Sequence, residues 1–177
     1  MKAFIKKMCV VISTIILLFS CNNNSDKNKL IDEIKTKENK VFSVNNFPFD
    51  YNEAGKLIKL YEIYISKYPN DTIVSNMLFK CVEISTNTNQ FNKAIDYCDR
   101  IINNNFEKKD KNKAKALFLK AFIYDNNLHN VEKAKELYLE FIKLYPNDEL
   151  IDDAKMSIEM LGKTPDEILK QLEKKNI

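Results

Sequence analysis

The chain has 177 residues, with 28 basic and 25 acidic side chains, two glycines, four prolines and no tryptophan. So few turn-forming residues exclude a many-turned β fold. The +3 excess equals the three lysines of the first twenty residues, Lys2, Lys6 and Lys7. The remaining 157 residues balance 25 basic against 25 acidic groups and include one arginine, Arg100, so they give no electrostatic case for nucleic acid.

The N-terminal segment has three parts. Its basic start is followed by an apolar run from Met8 to Phe19, then by Ser20-Cys21 and a polar stretch from Asn22 to Asp26. The apolar run is too short for a spanning helix, which needs roughly 20 residues, and fits the core of a secretion signal. Leu18, Ser20 and Cys21 resemble the cleavage box of bacterial lipoprotein signal peptides, although Phe19 stands where a small residue is usual. The resemblance implies a signal peptide over residues 1–20 and an acylated Cys21 as the lipidation site. It also implies a cell-envelope location, lipid-anchored, at the periplasmic face or cell surface of the outer membrane. Two acyl chains suffice for stable anchoring.

Residues 21–49 read as a polar tether and lead-in. Asn22–Lys29 is the tether, Leu30–Lys40 a short helix carrying Leu30, Ile31 and Ile34, and Val41–Phe49 a segment packed against the first repeat. Residues 50–177 read as a helical repeat domain. Lys56–Asp71 and Lys133–Asp148 align without a gap, with half of their sixteen positions identical, and Lys93–Ile102 is a further copy. Equivalent positions Leu57, Ala94 and Ala134 lie 37 and 40 residues apart, the period of a two-helix repeat. In the last copy Val131, Ala134, Leu137, Tyr138, Phe141, Ile142 and Tyr145 share one helical stripe. Pro69 and Pro146 stop their helices, and the Asn-Asp after each proline caps the next one.

Partner helices precede the later copies, over Asp71–Thr86 and around Ala116–Tyr124. The second is apolar nearly all round, so it needs cover on more than one side. Asp148–Leu161 starts another repeat, Gly162 ends it, and Thr164-Pro165-Asp166-Glu167 is a capping box. It opens a final capping helix over Asp166–Lys175, with Ile168, Leu169 and Leu172 facing inward.

Phe118, Ala121, Ala134, Tyr138, Phe141 and Pro146 match the spaced positions of a tetratricopeptide repeat, and Phe122 stands where that motif has a small residue. From Asp50 to Lys175 the chain resembles the tetratricopeptide lipoproteins of bacterial envelopes, including the lipoprotein partner of the outer-membrane β-barrel assembly machinery. The resemblance implies an all-α fold, an antiparallel helix-pair solenoid wound as a right-handed superhelix, with about three repeats. It also implies a partner-binding groove lined by the inner helices. The motif register assigns Asn76, Phe79, Glu83 and Thr86 in one repeat, and Leu119, Ile123 and Asn126 in the next.

No catalytic constellation stands out, so an enzyme is not expected, nor a cofactor or metal. His129 is the sole histidine and lacks co-ligands. The carboxylates alternate with lysines as solvated helix faces do. Cys81 and Cys98 flank the Thr88–Gln90 turn symmetrically, either as buried thiols or as a disulfide. The expected function is a lipid-anchored scaffold that binds another protein or an extended peptide, with a role in outer-membrane protein assembly as a narrower form. The competing expectation is a surface-displayed capture lipoprotein for nutrients or host factors.

Overall fold

A computed structural model describes residues 24–43, 49–104, 106, 111–164 and 166–170. The helices are α1 (24–41), α2 (Tyr51–Lys67), α3 (Val74–Asn87), α4 (Phe91–Asn103), α5 (Lys111–Asn126), α6 (Val131–Leu144) and α7 (Ile151–Met160). Residues 166–170 are also helical, and no strand occurs among the described residues. The all-α helical-repeat fold expected from the sequence is the one observed. The chain divides into two compact units, Met1–Pro69 and Asn70–Ile177.

The first unit is an antiparallel hairpin of α1 and α2. Helix α1 is longer than the sequence predicts. It already runs through residue 24, the first described residue, inside the stretch expected to be a tether. Residues 24–29 contain no apolar side chain and so give no periodic signal. Lys27 instead places its ammonium 5.5 Å from the centre of the Tyr68 ring, near the end of α2. Farther along α1, Ile34 and Val41 are buried, as are Ala54, Leu57, Tyr61, Tyr64 and Ile65 of α2. The Tyr61 hydroxyl donates to Glu38 Oε1 at 2.6 Å. Asp50 caps α2 by accepting from the backbone N–H groups of Asn52 and Glu53.

Glu53 sits at the other end of this hairpin. Its carboxylate receives Lys37 at 2.7 Å, Lys56 at 2.8 Å and Lys40 at 3.2 Å. Hydrogen bonds from Lys37, then Lys56, then Lys40 pull its pKa down to about 2. A largely buried carboxylate is tolerated here because its oxygens are met by these ammonium groups.

The second unit stacks α3 to α7 as successive antiparallel neighbours, and α3 also packs directly on α5. Small residues at Ala121, Ala134 and Ala154 are fully buried and let the helices approach. The Phe118 ring fills the space beside them, 5.6 Å from both Tyr138 and Phe141 in edge-on geometry. Asp71 and Asp148 play matching roles after the two prolines. Each accepts with Oδ1 from the backbone two residues on, Ile73 and Leu150 respectively. These two residues, not the expected aspartates, are the N-caps of α3 and α7, and they make no side-chain cap bond. The aspartates thus order the turn rather than cap the helix. Helix α5 buries Ala114, Ala116, Leu117, Ala121 and Ile123, which lie on more than one face, as its apolar sequence requires.

The unit closes with a changed surface. Matching Pro69 to Pro146 pairs α7 with α3, so Asp152, Lys155 and Glu159 correspond to Ser75, Leu78 and Val82. The α3 residues are buried, whereas their α7 counterparts are exposed and charged. A polar outer face of this kind is what the last repeat of an array needs. Gly162 adopts φ 70° after α7, as the left-handed cap position demands. Thr164 and Glu167 form the expected reciprocal capping box. The last helix departs from expectation in its orientation. Ile168 is half-buried, but Leu169 is exposed, because adjacent helical positions point about 100° apart. Leu172 lies outside the described residues.

Candidate functional site

The candidate groove is built on α3 and α5. Helix α3 carries an outward stripe of Asn76, Lys80, Glu83 and Asn87. Helix α5 carries Lys115, Leu119, Phe122 and Asn126 on the equivalent stripe. The two stripes match at a constant step of 39 residues, seen from Asn76 to Lys115 and from Asn87 to Asn126. The outer helices α4 and α6 match at a step of 40, from Ala94 to Ala134. The difference lies in the turns. Thr88–Gln90 joins α3 to α4 in three residues, whereas Asn127–Asn130 joins α5 to α6 in four.

That extra residue corrects one predicted groove position. A 40-residue step carries Glu83 to Ile123, but Ile123 is fully buried and Phe122 is 40% exposed in its place. Ile123 therefore belongs to the core. Its structural counterpart on α3 is the buried Ile84. Asn76 and Asn126 are exposed, while Phe79, Glu83, Thr86 and Leu119 are half-buried. The Thr86 hydroxyl donates to Val82 O at 2.9 Å, so it is turned toward its own helix. Half-buried Lys80 and Lys115 and exposed Phe122 lie on these outward stripes, a placement the sequence reading does not give them. The one-residue difference in turn length was the signal that locates them.

The face is mostly uncharged and amide-rich. Asn112 Nδ2 lies 2.9 Å from both Ser75 Oγ and Asn76 Oδ1, tying the start of α5 to the start of α3. Lys80 approaches Glu83 at 3.6 Å and Lys115 approaches Glu149 at 3.7 Å. Both pairs are solvent-screened and contribute little to stability. Their effect is to balance the local charge, leaving Phe122 as the large apolar side chain among polar neighbours.

The remaining candidate residues lie elsewhere. His129 is exposed in the α5–α6 turn at φ 50°. Among the described residues, no group of three His, Cys, Asp or Glu side chains is placed to hold a metal ion. Cys81 and Cys98 are not joined in a disulfide, and both are fully buried. Burial first, and the Asp99 charge second, push the Cys98 thiol up to about 12, far from thiolate character. Among the described residues, no helix is long and apolar enough to cross a membrane. Cys21 lies outside the described residues.

Residues 115–148 match the family model of the tetratricopeptide repeat. The match runs from the half-buried Lys115 of α5 through all of α6 to Asp148, just before α7. Tetratricopeptide repeats are typically non-catalytic units that bind proteins, and the α3–α4 pair repeats the same burial pattern. No curated protein and no solved structure gives a match to the chain.

Proposed function

We propose that this chain is a lipid-anchored scaffold of a bacterial cell envelope. It holds another protein, as an extended peptide segment, against the α3–α5 face. The observation that carries the reading is Phe122. A large aromatic ring, 40% exposed, occupies the face where the repeat motif has a small residue, one turn from Leu119 and one turn from exposed Asn126 on the same helix. An apolar anchor within a polar rim is the usual composition of a protein-binding patch. The anchor rests on Cys21 and the lipoprotein-like signal before it, with the outer membrane as its expected location. In a narrower form the scaffold serves outer-membrane protein assembly.

The test is a photo-crosslinking side chain at Phe122 in living cells, with the same group at exposed Leu144 as the control. A specific adduct from position 122 that is absent from position 144 supports the scaffold. Identical adduct patterns from the two positions refute it. Depletion of the chain without loss of barrel proteins removes the narrower form.

A further inference from the structure

The loop end of the α1–α2 hairpin carries an aromatic cluster that the α3–α5 face does not use. Phe42, just past α1, is 40% exposed, and Tyr51, at the first position of α2, is 62% exposed. Phe49 stacks edge-on against Tyr51 with ring centres 5.5 Å apart. Lys40 and Lys56 flank this end with more than half of each side chain in solvent, both turned toward Glu53. The charges here balance: Lys37, Lys40 and Lys56 stand against Glu38, Asp50 and Glu53. The cluster is therefore aromatic and amphipathic in character rather than basic.

The short stretch between Cys21 and the described part of α1 holds the other end of the hairpin near any lipid on Cys21. Residue 24 is the first described residue of α1, and Cys21 lies three residues before it. Three Cα–Cα steps reach no more than about 11 Å. An acylated Cys21 thus holds residue 24 close to the bilayer surface. The described part of α1 covers 24–41, so its far end lies about 27 Å away at 1.5 Å per residue. That far end is where Phe42, Phe49 and Tyr51 are found.

We propose that this aromatic cluster is a second membrane contact, inserted at the headgroup level of the bilayer that holds the lipid anchor. Helix α1 then lies along the surface between the two contacts. Tyrosine and phenylalanine suit this depth because an apolar ring enters the boundary while a hydroxyl, or a neighbouring lysine head, stays wet. The proposal rests on the anchoring of Cys21. It fixes the orientation of the first unit rather than its presence at the membrane. Balanced charge makes the contact insensitive to salt, unlike a polybasic attachment.

The chain contains no tryptophan, so a single introduced one is an unambiguous probe. The acylated protein carrying Tyr51→Trp, and separately Phe42→Trp, is reconstituted into phosphatidylethanolamine–phosphatidylglycerol vesicles with brominated acyl chains. Leu128→Trp, exposed in the second unit, serves as the reference. The expected result is quenching by brominated lipid several-fold stronger at positions 51 and 42 than at 128, with reduced acrylamide access and no change on raising salt. Protein that floats with the vesicles while all three tryptophans remain equally open to acrylamide overturns the proposal and leaves the anchor standing. A tryptophan shielded from both quenchers points to a protein cover and also overturns it. Protein without acyl mass on Cys21 that fails to float removes the anchor and this proposal together.

Discussion

Phe122 and Ile123 are neighbours in sequence but have opposite surroundings, so replacing each with lysine is a sharp test of the α5 register. At 123 the substitution removes a fully buried isoleucine, worth about 1.5–3 kcal/mol of burial. It also buries an ammonium group without a partner, which costs several kcal/mol more. The total is at least about 5 kcal/mol, the lower end of a domain's whole stability. At 122 a lysine stem covers much of the surface the ring covered and its head reaches water, so the loss is about 1 kcal/mol. The gap of about 4 kcal/mol corresponds to roughly a thousandfold in the opening constant. Urea titration followed by helical circular dichroism reads the stability. Labelling of Cys81 and Cys98 reads the second unit specifically, because neither is in a disulfide and both are fully buried in it. Ile123→Lys is expected to expose both thiols at low urea or in buffer, and Phe122→Lys to keep them protected. Equal loss at the two positions, or a greater loss at 122, refutes the register and the groove built on it.

Two further outcomes test the first unit. The Glu53 carboxyl is held at about 2, against 4.5 for the free side chain, so its contribution to stability is complete above pH 4.5 and disappears as the pH falls toward 2. Glu53→Gln is therefore expected to flatten the acid dependence of hydrogen exchange in α1 and α2 across that window; an unchanged slope would show that the lysine cluster does not set it. Gly55 lies inside α2, and a Cβ there would meet nothing within 4 Å, so Gly55→Ala is expected to stabilise the hairpin by about 1 kcal/mol. A lowered melting temperature for that variant would contradict the α2 geometry.

Much of the second unit was legible because its helices announce themselves twice, by apolar spacing and by repetition. Ala134, Tyr138 and Phe141 recur as buried positions in step with Ala94, Cys98 and Ile101, and the aspartates after Pro69 and Pro146 mark the turns before the next helices, although they do not cap them. The described part of α1 before Leu30 was not legible, since its contact is a lysine over a distant tyrosine ring rather than a local pattern. The groove was partly legible. Asn76, Glu83, Leu119 and Asn126 fall on the outward stripe, but carrying the outer-helix period of 40 onto an inner helix turned position 123 inward. A helical face rotates by about 100° per residue, so an error of one position is enough to exchange surface for core.

The charged face of α7 makes extension of the array beyond it costly. Duplication is the simplest way to lengthen a chain of repeats, yet a further helix pair laid on α7 would have to desolvate Asp152, Lys155 and Glu159, which are exposed where α3 presents buried Ser75, Leu78 and Val82. The same pair would meet a lower desolvation cost if inserted upstream of α7 than if laid on its charged face.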